Sequence, residues 1–176
     1  MRIHTLDAAA CDDTLAQLTG LLLDAVAHGA SLGFLSDLDA DEARRYWQGV
    51  RAGVADGSRL LLAAIHEGRL AGTVQLDLCQ KDNGRHRSKL QKMIVHSALR
   101  RRGIGSVLLR AAEAEARSLG RGLVHLDTEA GSGAEELVHG LGYTRVGELP
   151  DYARAPGGAL RPTVIYYKTL LAPELA

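Results

Sequence analysis

The chain has 176 residues, which suits a single domain that buries a hydrophobic core. Hydrophobic residues make up 46% and charged residues 24% of the sequence, so the composition excludes a disordered chain. Acidic and basic residues balance at 21 each, so no overall field attracts nucleic acid or an anionic membrane, and any anion site must be local. The longest apolar runs are far too short to span a membrane, and the N-terminus has no secretory pattern. We therefore expect a cytoplasmic protein with one domain over residues 1–176.

Hydrophobic periodicity in the first half of the chain predicts helices and strands separated by glycine-containing turns. In chain order, the predicted elements are a strand over residues 2–6, a helix over 12–28, a loop over 29–38, a helix over 39–55, and strands over 60–65, 70–78 and 90–95. Asp39 is followed three residues later by Glu42, a capping-box pattern that marks the start of the second helix. Short polar turns join the three later strands, so we expect these strands to pair antiparallel.

The second half of the chain continues the mixed pattern. A helix begins at Ile104 and ends at Gly120, and we expect Glu113 and Arg117 to pair on its solvated face. The remaining elements are a strand over residues 123–126 closed by Asp127, a helix over 132–141 that starts with a capping box, and strands over 143–146 and 163–170. The order of elements predicts an α+β fold.

The segment with the clearest chemical meaning is Arg100–Ser106, here called the arginine–glycine segment. It follows a strand and opens a helix, with the pattern Arg100-x-x-Gly103-x-Gly105. Glycines let the backbone turn tightly, and the first N–H groups of a helix are unpaired and favour negative charge. The pattern therefore predicts an anion site suited to a pyrophosphate, with three arginines near further phosphates.

Other nucleotide motifs fit these residues less well. The dinucleotide fingerprint GxGxxG fails because Leu108 occupies the third glycine position, and a P-loop fails because no Gly-Lys-Ser/Thr follows. Two alternatives stay open at this point. In the first, the glycines only begin a helix and the arginines form a solvated charge run. In the second, the arginines form a nucleic-acid patch, which the zero net charge and the lack of interleaved aromatic residues disfavour.

Two motifs resemble the GNAT superfamily of N-acetyltransferases. The stretch Met93–Ser97, leading into the arginine–glycine segment, resembles motif A, and Ala134–Tyr143 (AEELVHGLGY) resembles motif B. The resemblance implies the GNAT fold, a central and mostly antiparallel sheet of six to seven strands flanked by about four helices, with acetyl-CoA as cosubstrate. At finer grain, GASLGF, LCQKDNG, LDTEAGS, YTRVGELP and PTVIYYKTL resemble tabtoxin-resistance acetyltransferases, which acetylate the amino group of a β-lactam toxin.

The resemblance also implies a set of cofactor-binding residues. In the superfamily, the pantetheine arm hydrogen-bonds the strand that precedes the anion site. The implied residues are Met93, Ile94, Val95, Arg100, Arg101, Arg102, Gly103, Ile104, Gly105 and Ser106. We predict direct attack of an amine on the thioester in a ternary complex, which requires a base for the ammonium proton.

Asp127 is the candidate catalytic base, because it follows a central strand where neighbouring strands are expected to part. Glu129 is the second candidate. The alternative for Asp127 is a structural cap on the turn that follows. Two departures from the superfamily leave the acid and base open, because Val138 stands where many members have a tyrosine and Lys89 where many have a glutamate.

The remaining polar residues predict no further centre. Four tyrosines, Tyr143, Tyr152, Tyr166 and Tyr167, stay open as proton donors, although aromatic residues on strands belong more often to a core. The seven histidines lack metal-ligand spacing, so we predict no metal, and we expect His125 to be a hydrogen-bonded core residue. The expected partner is a small-molecule amine rather than nucleic acid or membrane, with a homodimer left open. A non-catalytic acyl-CoA sensor of the same fold is the alternative function.

Overall fold

The computed structural model describes residues 1–170, so residues 171–176 of the predicted domain lie outside the described part. Within residues 1–170, seven strands and five α-helices follow one another. They are β1 (Arg2–Leu6), α1 (Ala8–Asp13), α2 (Leu15–Ala27), α3 (Ala40–Ala55), β2 (Arg59–His66), β3 (Arg69–Leu78), β4 (Arg87–Val95), α4 (Ile104–Ser118), β5 (Leu123–Glu129), α5 (Gly133–Gly140), β6 (Thr144–Arg154) and β7 (Leu160–Thr169).

The strands form one sheet in the order β1-β2-β3-β4-β5-β7-β6. Every neighbouring pair is antiparallel except β4 and β5, which run parallel. A parallel pair requires a crossover connection, and α4 supplies it between these two strands. The predicted α+β fold with a mostly antiparallel sheet is therefore confirmed.

Helices cover the sheet on both faces, and each face has its own hydrophobic core. On one face, α4 packs through Leu108, Leu109 and Ala112 against the central strands. On the other face, α3 packs against β2, and α2 packs against β3 and β4, through residues such as Trp47 and Leu22. The centre of the sheet is therefore buried between two layers of helices. None of the helices among residues 1–170 is both long and apolar enough to span a membrane.

The N-cap bond of each predicted capping box is confirmed, whereas the Glu135 carboxylate accepts from the Gly131 N–H at 2.6 Å rather than from the N-cap residue. The Glu42 N–H donates to Asp39 Oδ1 at 2.8 Å, and the Glu135 N–H donates to Ser132 Oγ at 3.2 Å. Asp39 and Ser132 have the extended backbone of N-cap residues. These local patterns fixed the helix starts to within one residue.

The predicted helix over residues 12–28 is wrong as one element, because the chain forms α1 and α2 there. Asp7 caps α1 through a 2.8 Å bond from the Ala10 N–H, so the first helix starts earlier than the apolar pattern indicated. Thr14 leaves the helical conformation at φ −100° and ψ 4°, and its hydroxyl donates to the Ala10 carbonyl at 2.6 Å. The side chain of Thr14 thereby competes for a backbone acceptor and ends the first helix.

Glu113 is not on a solvated face, contrary to the prediction. Its side chain is only 5% exposed and accepts from Lys168 Nζ on β7 at 2.9 and 3.1 Å. Arg117 stands 3.7 Å away and is 45% exposed. A buried carboxylate needs a close cation, and Lys168 supplies it from a strand far along the chain.

The strand over residues 123–126 extends further than predicted, to Glu129. Asp127 lies inside β5, opposite Ile165 of β7, and therefore does not cap a turn. Ser132 caps the next helix instead. His125 is half-buried, and no hydrogen bond to its ring occurs within residues 1–170, so the expected hydrogen-bonded core histidine is also wrong.

Candidate functional site

A cleft opens where β4 and β5 separate. The two strands pair only from Arg87 to Lys89 on β4 and from Leu123 to His125 on β5. Beyond that point the strands diverge, and a cleft of about 940 Å³ lies between them, with walls from the 29–33 loop, the arginine–glycine segment and α5. A volume of this size accommodates an extended ligand together with a second small molecule.

A bulge in β4 shapes the wall of the cleft. Gln75 pairs with Gln91 and Thr73 with Ile94, so Val74 alone lies opposite two residues of β4. One of those two is Lys92, which has a φ of +50°. A bulge re-aims side chains, and positive φ is uncommon for a residue other than glycine.

Gly72 on the neighbouring strand packs closely against β4 next to this bulge. A Cβ atom at position 72 would lie 2.6 Å from the Ile94 carbonyl oxygen. Glycine is therefore required there for the close approach of β3 to β4. A lone glycine inside a strand pattern is the sequence signal for such an approach.

The arginine–glycine segment presents a row of unpartnered backbone N–H groups. The first helical bond of α4 runs from the Val107 N–H to the Gly103 carbonyl at 3.2 Å. Within residues 1–170, the N–H groups of residues 101–106 have no protein acceptor. Arg101 and Gly103 have φ values of +61° and +79°, and such turns gather N–H groups into an anion-binding concavity at the helix N-terminus.

The two glycines of the segment have different roles. Gly103 has a left-handed backbone, and an added Cβ would meet no atom within 4 Å. Gly105 lies inside α4, and an added Cβ would stand 2.9 Å from Leu137 Cδ2 and 3.7 Å from Met93 Sδ. Gly103 thus serves the turn, whereas Gly105 lets α4 pack closely against α5 and β4.

Nearly all the predicted cofactor residues meet in the cleft. Nine of the ten line it, namely Met93, Ile94, Val95, Arg100, Arg101, Gly103, Ile104, Gly105 and Ser106. Arg102 is exposed and does not line it. Arg100 Nε donates to the Val95 carbonyl at 3.4 Å, and Arg101 lies 3.7 Å from Glu136. The first contact ties the segment to the end of β4.

The turn before the segment is anchored to α2 by Asp24. The Asp24 carboxylate accepts from the Ser97 N–H at 2.8 Å and from the Ser97 hydroxyl at 2.6 Å. Burial raises the pKa of Asp24, but the Ser97 hydrogen bonds outweigh it, together with the nearby His96 and His28, so the pKa lies below its usual value. Nothing in the sequence pattern indicated this contact, which joins residues 73 positions apart.

Asp127 and Glu129 both line the cleft on the same face of β5. Asp127 forms an ion pair with Lys89 of β4, and the two side chains are 31% and 36% exposed. Lys89, one of the two departures from the superfamily pattern, therefore contacts the candidate base Asp127 directly. The register of β4 and β5 explains the contact, because Lys89 pairs with His125, two residues before Asp127.

Val138 is buried and lines the cleft at the position where many superfamily members have a tyrosine. Of the four tyrosines considered, Tyr152 lines the cleft and is 55% exposed. Tyr143 and Tyr166 are buried, and Tyr166 donates to Glu135 Oε1 at 2.9 Å. Of these four tyrosines, Tyr152 is therefore the one that lines the cleft.

Lys92 is a cleft residue that the sequence reasoning missed. Its ammonium donates to the Leu32 carbonyl and lies 5.7 Å and 6.0 Å from the ring centres of Phe34 and Tyr46. Burial lowers the pKa of Lys92; Asp127 opposes this change, whereas Lys89 and Arg59 add to it. Only the bulge turns this lysine inward, and the sequence carries no clear signal of it.

The fold, the parting strands and the row of backbone N–H groups are consistent with an acyltransferase, and the chain belongs to the acetyltransferase (GNAT) family. The sequence model of that family matches residues 25–143, more than half of the chain. The match includes the arginine–glycine segment, both predicted motifs and the two candidate carboxylates. The finer similarity to tabtoxin-resistance enzymes stays a prediction.

Solved structures share the fold over the whole chain. A putative acetyltransferase, yncA of Salmonella typhimurium, solved with its cofactor acetyl-CoA, is 23% identical with a TM-score of 0.76 over 100% of this chain and 99% of that one. A ribosomal-protein-alanine N-acetyltransferase from Brucella melitensis is 24% identical with a TM-score of 0.75, over 96% and 99%. A putative phosphinothricin N-acetyltransferase is 16% identical with a TM-score of 0.79, over 97% and 99%.

Proposed function

We propose that the protein is an acetyl-CoA-dependent N-acetyltransferase that moves an acetyl group to the amine of a small molecule. The cleft between β4 and β5 carries this proposal. It has unpartnered N–H groups at the arginine–glycine segment and a carboxylate, Asp127, beyond the last paired residues of the two strands. Acetyl-CoA in the Salmonella structure of the same fold supports the choice of acyl donor.

The cofactor site fits coenzyme A by the chemistry of its donors. The N–H groups of residues 101–106 would bind the pyrophosphate, and Arg100 and Arg101 would add charge-assisted bonds to phosphate oxygens. Met93, Ile94 and Val95 would hold the pantetheine arm along the open side of β4. The bound cofactor supplies an activated thioester carbonyl.

Asp127 is the proposed general base, with Glu129 as the second carboxylate of the cleft. Asp127 takes one proton from the acceptor ammonium, which frees the lone pair of the nitrogen. As that nitrogen bonds to the acetyl carbon, the C–S bond breaks and its electron pair leaves on sulfur, and the second nitrogen proton passes to the thiolate. Lys89 holds the carboxylate in the cleft until an acceptor ammonium competes for it. A thiol with a pKa of about 8.5 leaves without a dedicated acid, which is consistent with Val138 at the usual tyrosine position.

The acceptor class rests on resemblance. We propose an amino acid or an antimetabolite such as tabtoxinine-β-lactam, with a cytoplasmic location and a single GNAT domain over residues 1–176; a homodimer is compatible with this. The named activity of the phosphinothricin N-acetyltransferase neighbour is consistent with an acceptor of this kind.

Two linked measurements test the function. A thermal-shift screen with acetyl-CoA and other acyl-CoAs is expected to raise the melting temperature, because a ligand that binds the native state stabilises it. Thiol release and product mass are then followed with a broad amine panel. Binding without turnover of any amine would favour the acyl-CoA sensor, and no binding of any acyl-CoA would refute the cofactor assignment.

A further inference from the structure

The cations around the cleft differ in how their charge is balanced. Lys89 is paired with Asp127, and Arg101 lies 3.7 Å from Glu136. Arg100 and Arg161 are exposed, so water solvates them. Lys92 is half-buried, and no carboxylate lies within 4 Å of its ammonium in the part of the chain that the structure describes.

The surroundings of Lys92 suit a cation but do not neutralise it. One N–H donates to the Leu32 carbonyl, and the rings of Phe34 and Tyr46 present their π systems to the charge. An ammonium has three donors, so this arrangement leaves donors free in a side chain that lines the cleft. Removing a charge from water without a counter-charge is costly, and a ligand that supplies the counter-charge relieves that cost.

Asp127 and Lys92 are placed to contact two ends of one small ligand. Both side chains line the same cleft, and Lys92 lies three residues along β4 from Lys89, the ion-pair partner of Asp127. Asp127 suits an acceptor ammonium. Lys92 suits an anionic group carried by the same acceptor.

We propose that Lys92 is a specificity-determining residue that binds a carboxylate on the acceptor, so that the protein selects amines bearing a carboxylate over otherwise equal amines. This inference rests on the proposed function. The role of Lys92 in choosing the acceptor is separate from the fold and from the coenzyme A binding proposed for the arginine–glycine segment.

Lys92 also fastens the 29–33 loop to β4, since its ammonium donates to the Leu32 carbonyl. A purely structural fastening would affect all acceptors alike when it is lost. A carboxylate-binding role would change only the preference between acceptors. The comparison between matched acceptors therefore separates the two roles.

The test uses amino acids, each paired with its decarboxylated amine, as acceptors for the full chain. The wild-type protein is expected to have a kcat/KM about 10- to 100-fold higher for the acid of each pair, because a hydrogen bond to a charged group contributes on that scale. Lys92→Met removes the charge with little change in volume and is expected to abolish the preference, while Lys92→Gln provides a second variant. Arg100→Met, on the cofactor side, is the matched control and should retain the preference. Equal rates within wild-type pairs, or an unchanged preference in Lys92→Met, would overturn the inference.

A binding measurement decides the case without turnover. Calorimetry with N-acetylated amino acids and the corresponding N-alkylacetamides, in the presence of coenzyme A, is expected to show tighter binding of the acids to the wild-type protein and no difference for Lys92→Met. If no amine is acetylated, the proposed catalysis is wrong. Tighter binding of the acids to the wild-type protein, lost in Lys92→Met, would still support the role of Lys92. The absence of any preference for the acids in wild-type protein overturns that role even if amines are acetylated.

Discussion

The two ends of the cleft differ in the groups that they offer to the proposed ligands. At the proposed cofactor end, the arginine–glycine segment offers backbone N–H groups fixed by a left-handed Gly103 and the start of α4. At the proposed acceptor end, the candidate groups are the side chains of Asp127, Lys89 and Lys92, which come from different strands or from a bulge. A backbone site depends on a short stretch of sequence, whereas a side-chain site depends on the register between strands.

This difference predicts how each end responds to substitution. Every residue except proline supplies an N–H group, so we expect the proposed cofactor end to tolerate substitution outside the glycines and the helix start. The acceptor end changes its chemistry with single side chains, and Lys89 and Val138 are two such changes from the common superfamily pattern. The substitutions below test whether the two ends act separately.

Gly103→Glu is expected to have the largest effect and to abolish coenzyme A binding. The new carboxylate would stand at the N–H groups meant for phosphate, and the residue would have to keep a φ of +79°. Gly57→Glu is a matched control, since Gly57 has the same φ, has open space around its Cβ position and lies outside the cleft. Calorimetric titration with coenzyme A measures both variants. Unchanged affinity in Gly103→Glu would refute the cofactor assignment.

Asp127→Asn is expected to lower kcat by about 10²- to 10⁴-fold and to leave the affinity for coenzyme A unchanged, because it removes the proton acceptor alone. Asp77→Asn on β3, which β4 separates from β5, is the control, as its side chain is 47% exposed and lies outside the cleft. Steady-state rates of thiol release report the first property and calorimetry the second. If both variants retain similar rates, Asp127 is not the base and Glu129 becomes the carboxylate to test.

Asp24→Asn is expected to have a smaller effect, a loss of about 1–3 kcal/mol of unfolding free energy at neutral pH, with a few-fold weaker affinity for coenzyme A. The folded pKa of Asp24 is lowered, so its stabilisation is present above the usual carboxyl pKa of about 3.9 and is lost as the pH falls through the folded value. Urea unfolding of both proteins at several pH values measures the difference.

Asp56→Asn is the control for that substitution, because Asp56 also accepts a backbone bond, from Ser58 at 2.9 Å, but lies away from the cleft. It should leave the affinity for coenzyme A unchanged. A stability difference between wild type and Asp24→Asn that persists undiminished at acidic pH would contradict the role given to the ionised carboxylate.

The sequence predicted the elements that depend on neighbouring residues. Asp39 with Glu42 and Ser132 with Glu135 located two helix starts, since each capping bond spans only three residues. The prediction of one long helix is wrong at Thr14. The apolar periodicity continues through this residue, but its hydroxyl donates to the Ala10 carbonyl and the first helix ends there. Periodicity reports which face is buried, but not where a polar side chain interrupts the backbone.

Long-range pairing limited the prediction of individual side chains. The burial of Glu113 could not be predicted, because its partner Lys168 lies 55 residues away along the chain. The Lys89–Asp127 ion pair could not be predicted either, because it depends on the register of two parallel strands. The position of Lys92 in the cleft could not be predicted from the sequence, because only the bulge turns its side chain toward Leu32 and the aromatic rings.

The sequence by itself determined the α+β fold and the start of α4, because periodicity, caps and glycines act over a few residues. It also predicted an anion site at the arginine–glycine segment, through the same short-range preferences. The sequence led us to expect strands that part near Asp127, and the tertiary structure decided that β4 and β5 are those strands, that they part beyond Lys89, and that Gly105 is a packing glycine. It also decided which charges meet in the cleft, because strand register and the β4 bulge bring together residues that are distant along the chain.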